Sequence, residues 1–219
     1  MTRKFDLISF DVDGTLVEHP SGKVIWELLN LKYVGSEAVN QDRYKDYLAG
    51  RLTYDQWVEA DVSGWMQKDA TREEILEVVR EFRPNPGAVE TVLELKSRGY
   101  ILSVVSGTID IVVDTLFADL PFEDVFTNRI FFDEQGKLTR WQATPFDIFG
   151  KPVALKELAR KYDTSVDRIA FIGDGENDVP LLDVAGYFVA FNPRSAELER
   201  RADRVIKNRS MTALLDIFE

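Results

Sequence analysis

The chain has 219 residues, 45% of them hydrophobic and 11% aromatic, with a formal charge of −11 at pH 7 and no cysteine. That is enough apolar material for one core with an insertion or for two small domains, and too much for a disordered chain. The negative balance excludes a general nucleic-acid binder, which needs a basic face, and the missing thiols exclude disulfides and thiolate metal sites. The apolar stretch before the first aspartates is too short for a signal peptide or a membrane span, and the other uncharged runs are strand-sized. The expectation is a soluble cytoplasmic protein with neither membrane nor nucleic acid as a partner.

Phe5, Leu7, Ile8 and Phe10 read as a buried strand that ends on Asp11-Val12-Asp13-Gly14-Thr15. Residues 18–83 carry no strand pattern, but four helical ones. The clearest begin at capping boxes, Thr53 with Gln56 and Thr71 with Glu74, and the last stops before Pro84. Trp26, Trp57 and Trp65 fall in this segment, where they can pack a small core. His19, the only histidine, is expected to face solvent. From residue 86 helix and strand alternate. A helix opens at Pro86-Gly87 and closes at Gly99, and Tyr100–Gly107 is a buried run. Residues 128–140 read as a hairpin excursion around Gln135-Gly136. A helix with Pro152 in its first turn, buried runs over Arg168–Gly175 and Gly186–Phe191, a short helix and a final strand complete the chain. Such alternation implies an α/β fold, a doubly wound parallel sheet with helices on both faces. The expected domains are a core of residues 1–17 and 84–219 and an all-helical cap of residues 18–83.

In an open parallel sheet, ligands bind beyond the carboxyl ends of the strands. Three strands here end in polar clusters: Asp11 to Thr15, Ser106-Gly107-Thr108, and Asp174 to Asp178. Lys151 starts the helix just before the third. Four carboxylates, a hydroxyl and a lysine would meet in one crevice and repel one another unless a cation joins them. A divalent cation with oxygen ligands resolves the conflict, and Mg²⁺ suits carboxylates, substrate phosphate and water.

The stretches DVDGTL, VVSGT, GKPVALKEL and GDGENDVPLL resemble, in that order, the four motifs of the haloacid dehalogenase-like hydrolase superfamily. The helical insertion after the first motif resembles its type-1 cap. The RGY…VVSG, GKLT and AG…AF stretches are similar to the phosphoserine phosphatase-like branch. The resemblance implies a Rossmann-like core and Mg²⁺-dependent hydrolysis of a small phosphorylated metabolite. Asp11 would be the nucleophile that forms an aspartyl-phosphate, and Asp13 the acid and base two residues on. Asp11, the Asp13 carbonyl and Asp174 would ligate Mg²⁺, with Asp178 holding a metal-bound water. Ser106, with Gly14, Gly107 and Asn177, would bind phosphate oxygens, and Lys151 would offset charge on Asp11 and the phosphoryl group. A monomer or a homodimer is expected. Two rival readings are a phosphotransferase or mutase of the same superfamily and a non-enzymatic phospho-acceptor module. An acceptor module is about half this length and has no helical insert.

One residue departs from that branch. Tyr54, Trp57, Val58, Val62 and Trp65 mark one face of the helix that starts at Thr53, and Asp61 lies on the same face. Asp61 stands where the branch has an Arg that grips the substrate's carboxylate. Pro20 and Ser21 stand where it has a cap Glu, with Glu18 close by. Asp61 either pairs with a cap Lys or Arg and never meets substrate, or reads the substrate and favours phosphomonoesters that are neutral or cationic away from the phosphate.

Overall fold

Residues 3–218 are described by a computed structural model. All four residues of strand β1 (Leu7–Phe10) are buried, because the strand is central and flanked on both sides. After it come β2 (Val17–Glu18), four helices and β3 (Arg83–Pro84). The helices are α1 (Ile25–Val34), α2 (Ala38–Leu48), α3 (Tyr54–Met66) and α4 (Arg72–Val79). β2 and β3 pair antiparallel, Val17 opposite Pro84 and Glu18 opposite Arg83, so the helical segment leaves and returns through one short ribbon. Both expected capping boxes form: Thr53 Oγ1 accepts from Gln56 N at 3.2 Å, and Thr71 Oγ1 from Glu74 N at 3.3 Å. Trp65 is fully buried, and its ring centroid lies 5.2 Å from that of Trp26. No residue of α2 is buried, although its Tyr44 and Tyr47 rings each stand 6.0 Å from Trp57.

The chain then alternates through α5 (Ala88–Ser97), β4 (Ile101–Ile109), α6 (Asp110–Leu116), β5 (Asp124–Phe132), β6 (Leu138–Gln142), α7 (Lys151–Lys161), β7 (Ile169–Gly173), β8 (Tyr187–Phe191), α8 (Ala196–Arg201) and β9 (Arg204–Ile206). The seven-stranded sheet runs β6-β5-β4-β1-β7-β8-β9. β1 pairs in parallel with β4 on one side and β7 on the other, so strand order reverses beside it. That reversal opens the crevice in which such sheets bind ligands. Successive residues of β1 feed opposite layers. Ile8 and Phe10 belong to the same hydrophobic cluster as Val92 and Leu95 of α5, and Leu7 to the one that holds Phe171 and Leu155 and Leu158 of α7.

Two expectations change. The hairpin is no excursion: β5 continues the parallel sheet beside β4, and β6 closes the edge antiparallel to it. The tight turn that reverses the chain is closed by Gly136 N donating to Asp133 O at 2.9 Å, with Gly136 at φ +78°. The hairpin also carries the helical segment, since Arg72 N donates to Gly136 O at 2.7 Å and Leu138 N to Ala70 O at 2.9 Å. His19 does not face solvent either. The ribbon brings it against Phe82, with ring centroids 5.0 Å apart, and its Nε2 meets Glu81 Oε2 at 3.2 Å, leaving the side chain 8% exposed. No helix among the described residues is long and apolar enough to cross a membrane.

At the amino end of β1, away from the crevice, Asp6 accepts from Arg168 Nε and Nη2, both at 2.5 Å, and from Thr164 Oγ1 at 2.6 Å. The Arg168 hydrogen bond, first among these causes, holds the Asp6 carboxyl down at about 2. A depressed carboxylate stabilises the fold above its unfolded value of about 3.9, and that contribution is lost as pH falls through the folded value. Asp6→Asn should therefore cost up to about 1 kcal/mol at pH 7, the pair being partly solvated. The deficit should shrink between pH 4 and pH 2, as read from denaturant midpoints. A deficit independent of pH would show that the carboxylate charge contributes nothing.

Candidate active site

The polar ends of β1, β4 and β7 lie at one edge of the sheet, and α7 delivers Lys151 beneath them. Gly150 permits this approach, because a Cβ there would collide with the Pro145 carbonyl. Lys151 is fully buried, and its Nζ donates to Asp11 Oδ1 at 2.7 Å and to Asp178 Oδ1 at 2.6 Å. Asp178 Oδ2 accepts from the backbone N–H groups of Asp174 and Gly175 at 3.0 and 3.1 Å. Asp174 Oδ1 accepts from Thr15 Oγ1 at 3.0 Å and Oδ2 from Arg194 Nε at 2.6 Å, while Arg194 Nη2 reaches the Asp13 carbonyl at 3.2 Å. Gly14, at φ +94°, packs directly on Asp174, and a Cβ would strike the carboxylate. Ser106 is buried, with its Oγ accepting from Thr108 N at 3.2 Å. The Gly107 carbonyl accepts from Asn128 Nδ2 at 2.7 Å and from the Trp26 indole at 2.8 Å, which ties the helical segment to the end of β4.

Crowding of carboxylates in a dry place sets their protonation. Burial lifts Asp174 to about 7 against the pull of Arg194, with Asp11 and Asp178 adding to the rise. Burial lifts Asp178 to about 6 against Lys151. Burial and the neighbouring Asp11 charge lift Asp13 to about 7, and its buried Oδ1 accepts no hydrogen bond. Burial would lower the Lys151 ammonium, but Asp11 and Asp178 raise it above its ordinary range. The centre is thus short of positive charge. Asp11, Asp174 and Asp178 each offer an oxygen, all within 4.8 Å of one another. Oxygen donors with unsatisfied negative charge fit a hard divalent cation.

Above this floor opens a cavity of about 430 Å³, lined by Asp11, Asp13, Ser106, Gly107 and Asn177 and roofed by the aromatic side chains of α1, α2 and α3. Asp61 has the cap partner that one of the two expectations gave it. It pairs with Arg43 of α2 and accepts from Asn30 Nδ2 at 2.8 Å, and it lines the cavity. Sequence reasoning missed Arg194, Asp147, Asn128 and Arg43. Arg194 follows β8, so the rule that put ligands at strand ends could have found it. Asp147, pushed upward by burial, lies against Gly107, where a Cβ would collide with its carboxylate, and no motif announces it.

A doubly wound sheet with a carboxylate–lysine cluster at its switch point and a helical segment inserted after the first strand defines one class of hydrolase. The haloacid dehalogenase-like hydrolase family model matches residues 8–183, and the chain belongs to that family. It is 31% identical over 222 residues to the phosphoserine phosphatase of Methanocaldococcus jannaschii, with 98% of each chain covered. The phosphoserine phosphatase of Lactococcus lactis is 28% identical, covering 95% of this chain and 93% of the relative. A solved substrate-bound phosphoserine phosphatase complex matches with a TM-score of 0.78 at 29% identity, covering 100% of both chains. A phospho-aspartyl intermediate analogue of phosphoserine phosphatase matches at 0.77 and 29%, covering 99% and 100%. The protein is accordingly a phosphatase acting on phosphoric monoesters.

Proposed function

We propose that the protein hydrolyses small phosphorylated metabolites with Mg²⁺, using Asp11 as nucleophile under a cap of residues 18–83 on a core of residues 1–17 and 84–219. The observation that carries this reading is the position of Asp11. It stands at the end of the central strand, held on Oδ1 by a buried lysine, beside an Asp13 lifted to about 7. Attack of a carboxylate oxygen of Asp11 on phosphorus breaks the bond to the alkoxy oxygen, which takes the proton of Asp13 and leaves as an alcohol. Asp13, now ionised, takes a proton from water as that water attacks the phosphoryl group, and inorganic phosphate and free Asp11 result. A carboxyl titrating near neutrality is suited to both halves of this cycle. Lys151 offsets charge on Asp11, and Ser106 with Gly14, Gly107 and Asn177 holds the phosphate oxygens. Asp11, the Asp13 carbonyl and Asp174 would ligate Mg²⁺, with Asp178 holding a metal-bound water. When bound, the cation neutralises phosphate charge and polarises the phosphoryl oxygens.

The test is phosphate release from a panel of phosphomonoesters, with Mg²⁺ and with EDTA, in the wild type, Asp174→Ala and Asp178→Ala. The Mg²⁺ concentration for half-maximal rate should rise about 10- to 100-fold in Asp178→Ala and by more in Asp174→Ala. Coincident Mg²⁺ curves for wild type and Asp174→Ala would remove Asp174 from the ligand set.

A further inference from the structure

The cap side of the cavity is chemically one-sided. Outside the reaction centre its lining includes the carboxylates of Glu27, Asp61, Asp147 and Glu176. Among the described residues that line it, Arg194 is the single cationic side chain, and it is committed to Asp174 and the Asp13 carbonyl. Two buried acceptors at the cap end are unused. Asp61 is fully buried; Oδ1 serves Asn30 and Arg43, while Oδ2 has no well-aligned donor, the Trp57 side chain being the further donor close to the carboxyl. Asn40 Oδ1, on α2, is likewise buried and without a partner, and it lines the same cavity. Buried acceptors left without donors are costly and call for a donor from the ligand. The walls between them are aromatic: Trp57 stands with its centroid 6.0 Å from those of Tyr44 and Tyr54, and all three line the cavity. Aromatic faces attract cations, most strongly where water is excluded. A carboxylate in that place would meet Asp61 and Asp147, and the guanidinium groups nearest the cavity, Arg43 and Arg194, are already paired with Asp61 and Asp174.

Resting on the phosphatase reading above, we infer that the cap half of the cavity is an ammonium subsite. Asp61 Oδ2 and Asn40 Oδ1 accept hydrogen bonds from a protonated amine whose other faces meet Tyr44, Tyr54 and Trp57. The preferred substrates are therefore small aminoalkyl phosphomonoesters that carry no carboxylate. A primary amine is favoured over a quaternary one, because the empty positions are acceptors and need N–H donors.

The experiment compares kcat/KM for phosphoethanolamine, phosphocholine, propyl phosphate and phosphoserine on the wild-type chain. Phosphoethanolamine should exceed both propyl phosphate and phosphoserine by about 10-fold or more, the effect of one charge-assisted hydrogen bond in a dry site. Phosphocholine should fall between phosphoethanolamine and propyl phosphate. In Asp61→Asn the ratio of phosphoethanolamine to propyl phosphate should drop about 10-fold through KM. In Asn40→Ala it should drop by less, and this change on the outer helix serves where Asp61→Asn fails to fold. Hydrolysis of propyl phosphate with no gain from the amine, or a preference for phosphoserine, would overturn the subsite and leave the phosphatase standing. So would variants that slow both substrates equally. Hydrolysis of none of the four, nor of p-nitrophenyl phosphate, would overturn both.

Discussion

Asp11→Asn should abolish phosphatase activity and leave the fold standing. Phosphate-monoester hydrolysis is among the slowest reactions in water, and enzymes accelerate it by up to about 10²¹-fold, so loss of the attacking group removes nearly all turnover. A carboxamide keeps the oxygen that Lys151 bonds at 2.7 Å but cannot form an acyl phosphate under these conditions. The substitution also removes a charge that helps to lift Asp13, Asp174 and Asp178, so the cluster becomes less self-repelling. The melting temperature should hold or rise while phosphate release falls to background. Substantial activity in Asp11→Asn would place the nucleophile elsewhere.

Lys151→Met should damage both chemistry and stability, and the two effects separate with pH. The ammonium is fully buried and bridges Asp11 and Asp178. Removing one member of a buried ionic cluster leaves uncompensated charge, at a cost of about 3–5 kcal/mol near neutral pH. Loss of a preorganised cation at the phosphoryl group should cut kcat by about 10²–10³-fold. Asp178, already lifted to about 6 with the lysine present, should rise further without it. A carboxyl whose folded pKa exceeds its unfolded value destabilises the fold fully above the folded pKa, and the penalty declines as pH falls from there toward the unfolded pKa of about 3.9. The stability deficit of Lys151→Met should therefore be largest at pH 7.5 and much smaller at pH 5, as read from denaturant midpoints at the two pH values. Added Mg²⁺ should recover part of it. A deficit equal at both pH values would mean that the lysine acts by packing.

The sheet was legible because its inner strands are continuous apolar runs. Leu7–Phe10, Ile169–Gly173 and most of Tyr187–Phe191 are buried on both faces, so each needed no partner pattern to be recognised. The edge was not: β6, with Thr139, Arg140 and Gln142 exposed, resembles any solvent hairpin until β5 is seen paired to β4. Local rules also located the polar strand ends, since glycine, aspartate and threonine there follow from a tight approach to a shared crevice. Arg194 escaped because its partner Asp174 lies 20 residues away, and only the crossing after β8 folds the two together. The Arg43–Asp61 pair escaped for a different reason. α2 buries none of its residues, so no apolar stripe reveals which of its side chains turn toward α3. His19 took its partners from a two-residue ribbon too short for periodicity to register.

The ribbon has a consequence for how such a protein diversifies. Val17 and Pro84 face each other, Asn85 N donates to Leu16 O at 2.8 Å, and the Asn85 carboxamide clasps the Thr15 carbonyl at 2.6 Å. The two cut ends of the inserted segment are thereby held side by side within the turn that follows Asp11. A helical module of another size or ancestry can be spliced between them without changing the register of β1 or the place of Asp11. Selection can rewrite Tyr44, Trp57 and Asp61 while Lys151 and the aspartates stay as they are. On the proposed reading, the aromatic side chains and Asp61 that would face the substrate and the aspartates and lysine that would break the bond lie on separate stretches of chain, free to change at different rates.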